Sequence, residues 1–195
     1  SLYGEGTLIL RIDDFSNDGD IVASASNRVR ADEDDLRRFG LNMNDIVINR
    51  VNSLSHLGKT ALIGTVQEPM LFESNMMRFR VDGNQVLPEF AFRLLNSSIC
   101  KNQILSSAKR AVAQSSINQG DVAAIKVPLL RLDEQARIVN VLSILGDKGM
   151  QHQNTKTALQ DMFRTLLHKL MTAELRVGRV KVTALGQTSK ELQYG

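Results

Sequence analysis

Apolar positions along this chain repeat in two ways, and the change of period divides it. Up to about residue 130 the apolar runs are short and strand-like; beyond it they recur every three or four positions, as on a helix. In the first part, TLILRI (7–12) predicts a strand that ends in the turn-like DDFSNDGD (13–20). Ile46–Val51, TALIGTV (60–66) and NMMRFRV (75–81) predict three more. In the last, Met77, Phe79 and Val81 alternate with Arg78 and Arg80, the period of a half-buried strand. ADEDDLRRF (31–39) predicts one or two helical turns, capped by Asp32 and with Arg37 and Arg38 near the negative end of the dipole.

Pro88 opens a longer helix, PEFAFRLLNSSICKNQIL, that sets Phe90, Leu94, Leu95, Ile99, and Gln103 or Ile104 close to one face; proline is tolerated in a first turn. AKRAVAQSSINQGD (108–121) is polar, small and flexible in character. A short helix over 119–124 and a strand over 125–127 would then close the unit. Residues 1–130 therefore read as one compact α+β domain of short strands and short helices.

From Ile138 an unbroken spacing of four and three runs through Leu142, Leu145, Gly149, His152, Lys156, Leu159, Phe163, Leu166 and Leu170. A heptad seam of this length predicts helix-on-helix packing against a partner. An ordinary amphipathic helix lying on its own domain is the competing reading. If straight, the seam would span roughly 50 Å at about 1.5 Å per residue. Asp133 and Glu134 mark its start, Asp133 as the cap. Gly146 and Gly149 each disfavour helix by about 1 kcal/mol, which predicts a break or kink near them. The spacer helix is expected over 131–178, with a short strand candidate in VGRVKV (177–182) and a polar tail over 179–195.

Composition narrows the chemistry. The 195 residues are 43% hydrophobic, enough for a core, and no run approaches the roughly 18 apolar residues of a membrane helix. The start, SLYGEG, has neither an initiator methionine nor a signal-peptide pattern, so a trimmed chain or a fragment is expected. One cysteine, Cys100, fits a reducing, cytoplasmic compartment, and with three scattered histidines it argues against a zinc site. The net charge is +3, but unevenly placed. Ser1–Asp20 holds one arginine against five acids, whereas Arg50–Arg110 holds eight basic residues against four acids. A basic middle suits a polyanion, or is simply a solvated surface.

Enzyme motifs are missing. GKT (58–60) lacks the glycine five residues earlier that a phosphate loop needs. His56, His152 and His168 have no nucleophile motif around them. Pro69, Pro88 and Pro128 are isolated, so the Pro-Pro-aromatic motif of an adenine methyltransferase is absent. No catalytic role and no cofactor is expected in this chain.

Four stretches resemble the specificity subunits of type I restriction-modification systems. GLNMNDIVINRVNSLSHLGKTALI (40–63) is similar to their Gly-Asp-Ile-Leu-Ile strand followed by Arg, a polar loop and Gly-Lys. PEFAFRLLNS (88–97) resembles the helix after their central strands, and AKRAVAQSSINQGDVAAIKVPL (108–129) the end of their recognition domain. LDEQARIVNVL (132–142), the most specific, is similar to the Glu-Gln-x-x-Ile-Val that opens their conserved helix. The chain departs from the family at Asn44, where glycine is usual, and at Pro128-Leu129-Leu130-Arg131-Leu132, where Pro-Leu-Pro-Pro-Leu is common. It also carries one domain and one helix where the family has two of each.

The resemblance implies double-stranded DNA as ligand and a second copy or second half of the subunit as antiparallel helix partner. It also implies docked methyltransferase subunits, which bring S-adenosylmethionine and the catalysis. The helix partner would meet Ile138, Leu142, Leu145, Leu159, Phe163, Leu166 and Leu170. DNA contacts are expected from two loops. In the first, Arg50 suits guanine and Asn52 adenine, Ser53, His56 and Lys59 take smaller roles, and Gly58 allows close backbone approach. In the second stand Lys109, Arg110, Gln114, Ser115, Ser116 and Asn118. Arg78 and Arg80 suit the phosphate backbone. A coiled-coil adaptor with no DNA role is the alternative function.

Overall fold

The computed structural model describes residues 3–19, 21, 27–110 and 114–176, apart from the side chains of Tyr3 and Arg110. The predicted 177–182 strand and the 179–195 tail lie outside the described residues. The chain divides into two compact units, Ser1–Leu142 and Ser143–Gly195.

In the first unit, β1 (Tyr3–Leu10) pairs antiparallel with β2 (Arg28–Val29) and parallel with β6 (Met70–Phe72). A second sheet has β3 (Ile46–Asn49) between β5 (Thr60–Leu62) and β7 (Met76–Phe79), all antiparallel. A third joins β4 (Val51–Asn52), β9 (Ser115–Ser116) and β8 (Lys109–Arg110) in that order. The helices are α1 (Glu33–Phe39), α2 (Pro88–Leu95), α3 (Ser98–Ser107), α4 (Gln119–Ala123) and α5 (Leu132–Met171).

The core sits on both sides of β3, whose four residues are all buried. Alternation along a strand sends Val47 one way and Ile46 and Ile48 the other. Val47 packs in a cluster with Leu10, Phe15, Leu41, Ala61, Ile63, Phe72 and Met76. Ile46 packs with Ala91, Phe92 and Leu95 of α2 and with Cys100, and Ile48 with Leu57, Met77, Ile104 and Ile117. Asp32 caps α1 as predicted, in a reciprocal box with Asp35.

Several expectations are corrected. The single helix from Pro88 is two helices, because the Ser97 hydroxyl accepts the Cys100 N–H and starts α3 anew. The 125–127 segment is not a strand. The Gln103 amide takes a neighbouring strand's place, donating to Lys126 O at 3.0 Å and accepting from Lys126 N at 2.9 Å. The 108–121 link holds two short strands and the start of α4. Gly146 and Gly149 do not break α5: glycine weakens a helix but keeps its N–H, so the hydrogen-bond ladder continues. Asp133 is not the cap, since α5 starts at Leu132. Instead Glu134 accepts the Arg131 N–H at 3.3 Å, and Asp133 pairs with the Arg131 guanidinium at 3.1 Å.

The start of α5 is pinned by Gln135, which is fully buried. Its Oε1 accepts the Leu87 N–H at 2.8 Å, and its Nε2 donates to Gln85 O at 2.9 Å and Leu130 O at 2.8 Å. One amide thereby satisfies the loop before α2 and the segment before α5. Replacing Gln135 by Leu keeps the bulk and strands three backbone groups. It should cost about 1–3 kcal/mol for each group left buried and unpaired, read as a lower urea midpoint. Unchanged stability would mean that the three bonds do not anchor the helix.

Candidate nucleic-acid interface

The two predicted DNA loops meet in one sheet. β3 ends at Asn49, whose N–H donates to Lys59 O and whose carbonyl accepts from Gly58 N. Arg50 emerges exposed, yet its backbone is held on both sides, by Asn75 O at 2.9 Å and by Ile117 N at 2.9 Å. The chain then crosses to the third sheet as β4, where Val51 lies opposite Ser116 and Asn52 opposite Ser115. On the far side of β9, Lys109 lies opposite Ser116 and Arg110 opposite Ser115. Directly paired residues share a sheet face. Val51, Ser116 and exposed Lys109 therefore form one row, and Asn52 and Ser115 share the other face.

The loop after β4 is tied internally. Asn52 Oδ1 accepts the Ser53 N–H at 2.7 Å. The Ser53 and Ser55 hydroxyls lie 3.0 and 2.9 Å from His56 Nδ1 and 3.0 Å from each other. Ser53 and His56 are exposed, as is Gln114 just before β9, whereas Ser115 is buried within the sheet.

Other predicted site residues stand elsewhere or are already engaged. Lys59 is buried: its Nζ donates to Ile12 O at 2.6 Å and lies 4.5 Å from the Phe15 ring centroid. It stitches β5 to the loop after β1 instead of facing solvent. Gly58 has a positive φ of 73° and approaches α3, where an added Cβ would meet Ile104 at 2.8 Å. Its small size thus serves the core. Asn118 caps α4 in a reciprocal box with Asp121. Phe79 lies opposite Ile46, and Arg78 opposite Val47, so Arg78 and Arg80 stand toward the start of β3, away from Arg50. Both face the buried carboxylate of Asp45, Arg80 with Nε on Oδ1 and Nη2 at 3.1 Å from Oδ2. Asp45 also accepts the Asn42 N–H at 2.9 Å, while Arg78 donates to Gly40 O. The Asp45 hydrogen bond raises the Arg80 pKa further above its ordinary value. The two arginines serve a structural clamp, although Arg80 keeps part of its surface exposed.

The strands β2, β6, β8 and β9 escaped the sequence reading, and with them the sheet that joins β4, β9 and β8. Two- and three-residue strands carry too few positions for a period to show. Also missed was half-buried Lys101 of α3, visible in sequence only as one of the basic residues between Arg50 and Arg110. Of the helix stripe, Ile138, Leu142, Leu145, Leu159, Phe163 and Leu166 are exposed and Leu170 is half-buried. Among the described residues no helix is long and apolar enough to cross a membrane.

Residues 6–160 match the family model described as the type I restriction modification DNA specificity domain. A curated protein of Methanocaldococcus jannaschii, assigned as the MjaX type I restriction enzyme specificity subunit, is 33% identical over 141 residues. That match takes in 70% of this chain and 33% of the relative. Among solved structures, a chain from a study of assembly and conformational transition in the type I R-M system aligns with a TM-score of 0.64 at 19% identity. It covers 94% of this chain and 46% of the other. The HsdS subunit from Thermoanaerobacter tengcongensis aligns at 0.62 and 21% identity, covering 85% of this chain and 41% of the other. The fold is therefore shared, and the chain spans about a third of the curated relative's length and under half of each solved chain's.

Burial pulls the Lys59 pKa below its ordinary value, against the opposing pull of Asp13 and Asp14. Between the folded value and the ordinary alkaline one, the unfolded chain holds more protons than the folded chain, so stability from this residue rises with pH. Wild-type protein should therefore gain unfolding free energy relative to Lys59→Met as pH is raised through that window. Parallel pH profiles of the two proteins would contradict a buried role for this ammonium.

Proposed function

The chain belongs to the type I restriction-modification DNA specificity family, and from that premise we propose that it reads one half of a bipartite DNA target as part of a specificity subunit. The observation that carries this is the β4–β9–β8 sheet, which brings two loops separated by more than fifty residues onto one surface. Arg50 and Lys109 stand exposed there with no carboxylate partner among the described residues. Lys109 supplies a phosphate contact. Arg50, Asn52, Ser53, His56 and Gln114 carry the polar groups that reach base edges. Ser115 and Asn118 hold the second loop in shape.

Catalysis and S-adenosylmethionine binding belong in this reading to methyltransferase subunits that dock on the chain, which itself does no chemistry. A second copy, or a second half of the same subunit, pairs antiparallel through the 138–170 stripe. The stripe is apolar at both ends and polar at Gly149, His152 and Lys156. Antiparallel pairing sets Ile138, Leu142 and Leu145 against Phe163, Leu166 and Leu170, and a parallel pair would bring the two Lys156 charges together. The buried free thiol of Cys100 is compatible with work in a reducing cytoplasm.

Sedimentation at micromolar concentration reads the pairing: a dimer supports a second copy, a clean monomer opposes it. Duplex DNA titrations read the rest. Lys109→Ala should weaken binding to all sequences and lower the salt slope by about 0.9, one phosphate contact. Arg50→Ala should remove about 1–3 kcal/mol of discrimination at one base pair. If neither variant changes affinity, discrimination or salt dependence, the DNA face lies elsewhere.

A further inference from the structure

Beside the loop that follows β4 is a small cavity of about 130 Å³ lined by Asn17, Leu54, Ser55, Leu57, Lys59, Lys101 and Leu105. Three separate parts of the chain build it: the turn after β1, the 53–59 loop and one face of α3. Lys101 and Leu105 are four apart, which puts them on the same face of that helix. Two of the lining side chains are lysines, and no lining residue is acidic.

The lysines differ in what already holds them. The Lys59 ammonium is engaged by Ile12 O and the Phe15 ring, as described. Lys101 is half-buried and makes no ion pair or hydrogen bond through its ammonium among the described residues. An ammonium beside a cavity with no counter-charge among the described residues is open to an arriving anion. Ser55 and Asn17 also line the cavity; the Asn17 amide can donate to an oxyanion, as can the Ser55 hydroxyl when His56 Nδ1 or Ser53 donates to it. Ser55 is itself steadied by His56 Nδ1 at 2.9 Å.

We propose that this cavity seats one backbone phosphate of bound DNA, with Lys101 as the cation that holds it. The inference rests on the DNA-reading function proposed above and adds a site to it. A phosphate held here fixes the duplex against the loop that begins with Asn52 and Ser53. Lys101 sets the register in which Arg50 and Asn52 meet base edges and reads no base itself.

The test uses the full chain and three variants: Lys101→Gln, Lys101→Arg, and Lys126→Gln as a charge removed outside the cavity. Affinity for duplex DNA is measured across a salt series, with thermal melts to confirm folding. Lys101→Gln should bind every duplex more weakly, with a salt slope lower by about 0.9, Lys101→Arg should recover most of the loss, and Lys126→Gln should keep the wild-type slope. Salt-dependent DNA binding that Lys101→Gln leaves unchanged, or that Lys126→Gln lowers equally, overturns the phosphate seat and spares the DNA reading. A second measurement titrates inorganic phosphate into labelled protein and follows the backbone amides of Asn17 and Ser55. Phosphate-induced shifts there, in a chain with no salt-dependent DNA binding, would overturn both the DNA reading and the assignment to a DNA phosphate. The cavity would then be a seat for free phosphate.

Discussion

The burial of β3 on both faces is the constraint from which the rest of this domain follows. Ile46 and Ile48 fill the side of α2 and α3, and Val47 fills the side of β1 and β6. A one-residue slip of this strand would exchange Val47 with the larger Ile46 and Ile48 between the two packed sides and draw Asp45 or Arg50 into the apolar span. The point at which it stops being buried is therefore fixed, and that point is Arg50. Backbone bonds to Asn75 O and Ile117 N hold Arg50 as it leaves the core, so its side chain is delivered from a rigid base. β4 then recruits β9 and β8, and the proposed reading surface is in effect an extension of the core strand into a second sheet.

The ends of β3 divide the labour of charge. At its start, Asp45 gathers Arg78 and Arg80 and caps the Asn42–Asp45 turn, which leaves these arginines constrained. At its far end, Arg50 and, across the small sheet, Lys109 stay exposed. A count of basic residues between Arg50 and Arg110 treats all of them alike. The fold sorts them by whether a carboxylate or a carbonyl already occupies them, as it does for Lys59 on Ile12 O. The domain's basicity therefore overstates the charge left free for any polyanion.

What was legible in the sequence was what depends on local chemistry or on a long period. Asp32 as a cap, the helix at 119–124 and the long helix from Leu132 all rest on neighbours within a few residues or on many turns of repeat. The strand at β7 was legible too, but not its burial, since Met76 and Met77 are both buried, on opposite faces. The Glu134-Gln135 signature was legible as a pattern, and its physical content is the three bonds made by the Gln135 amide. Hidden were the features made by distant partners. Nothing local says that SS at 115–116 pairs with VN at 51–52, that Gln103 stands in for a strand beside Lys126, or that Lys101 shares a cavity with Asn17. Ser97 also misled, because one hydroxyl that starts a new helix outweighs a continuous apolar face.

Hydrogen exchange on the chain with and without duplex DNA tests the reading surface most directly. Slowed exchange in residues 50–57 together with 109–110 and 114–116, and none around Asp45, Arg78 and Arg80, is the predicted result. Slowing confined to the Asp45–Arg80 end of β3, or to α5 alone, would contradict it.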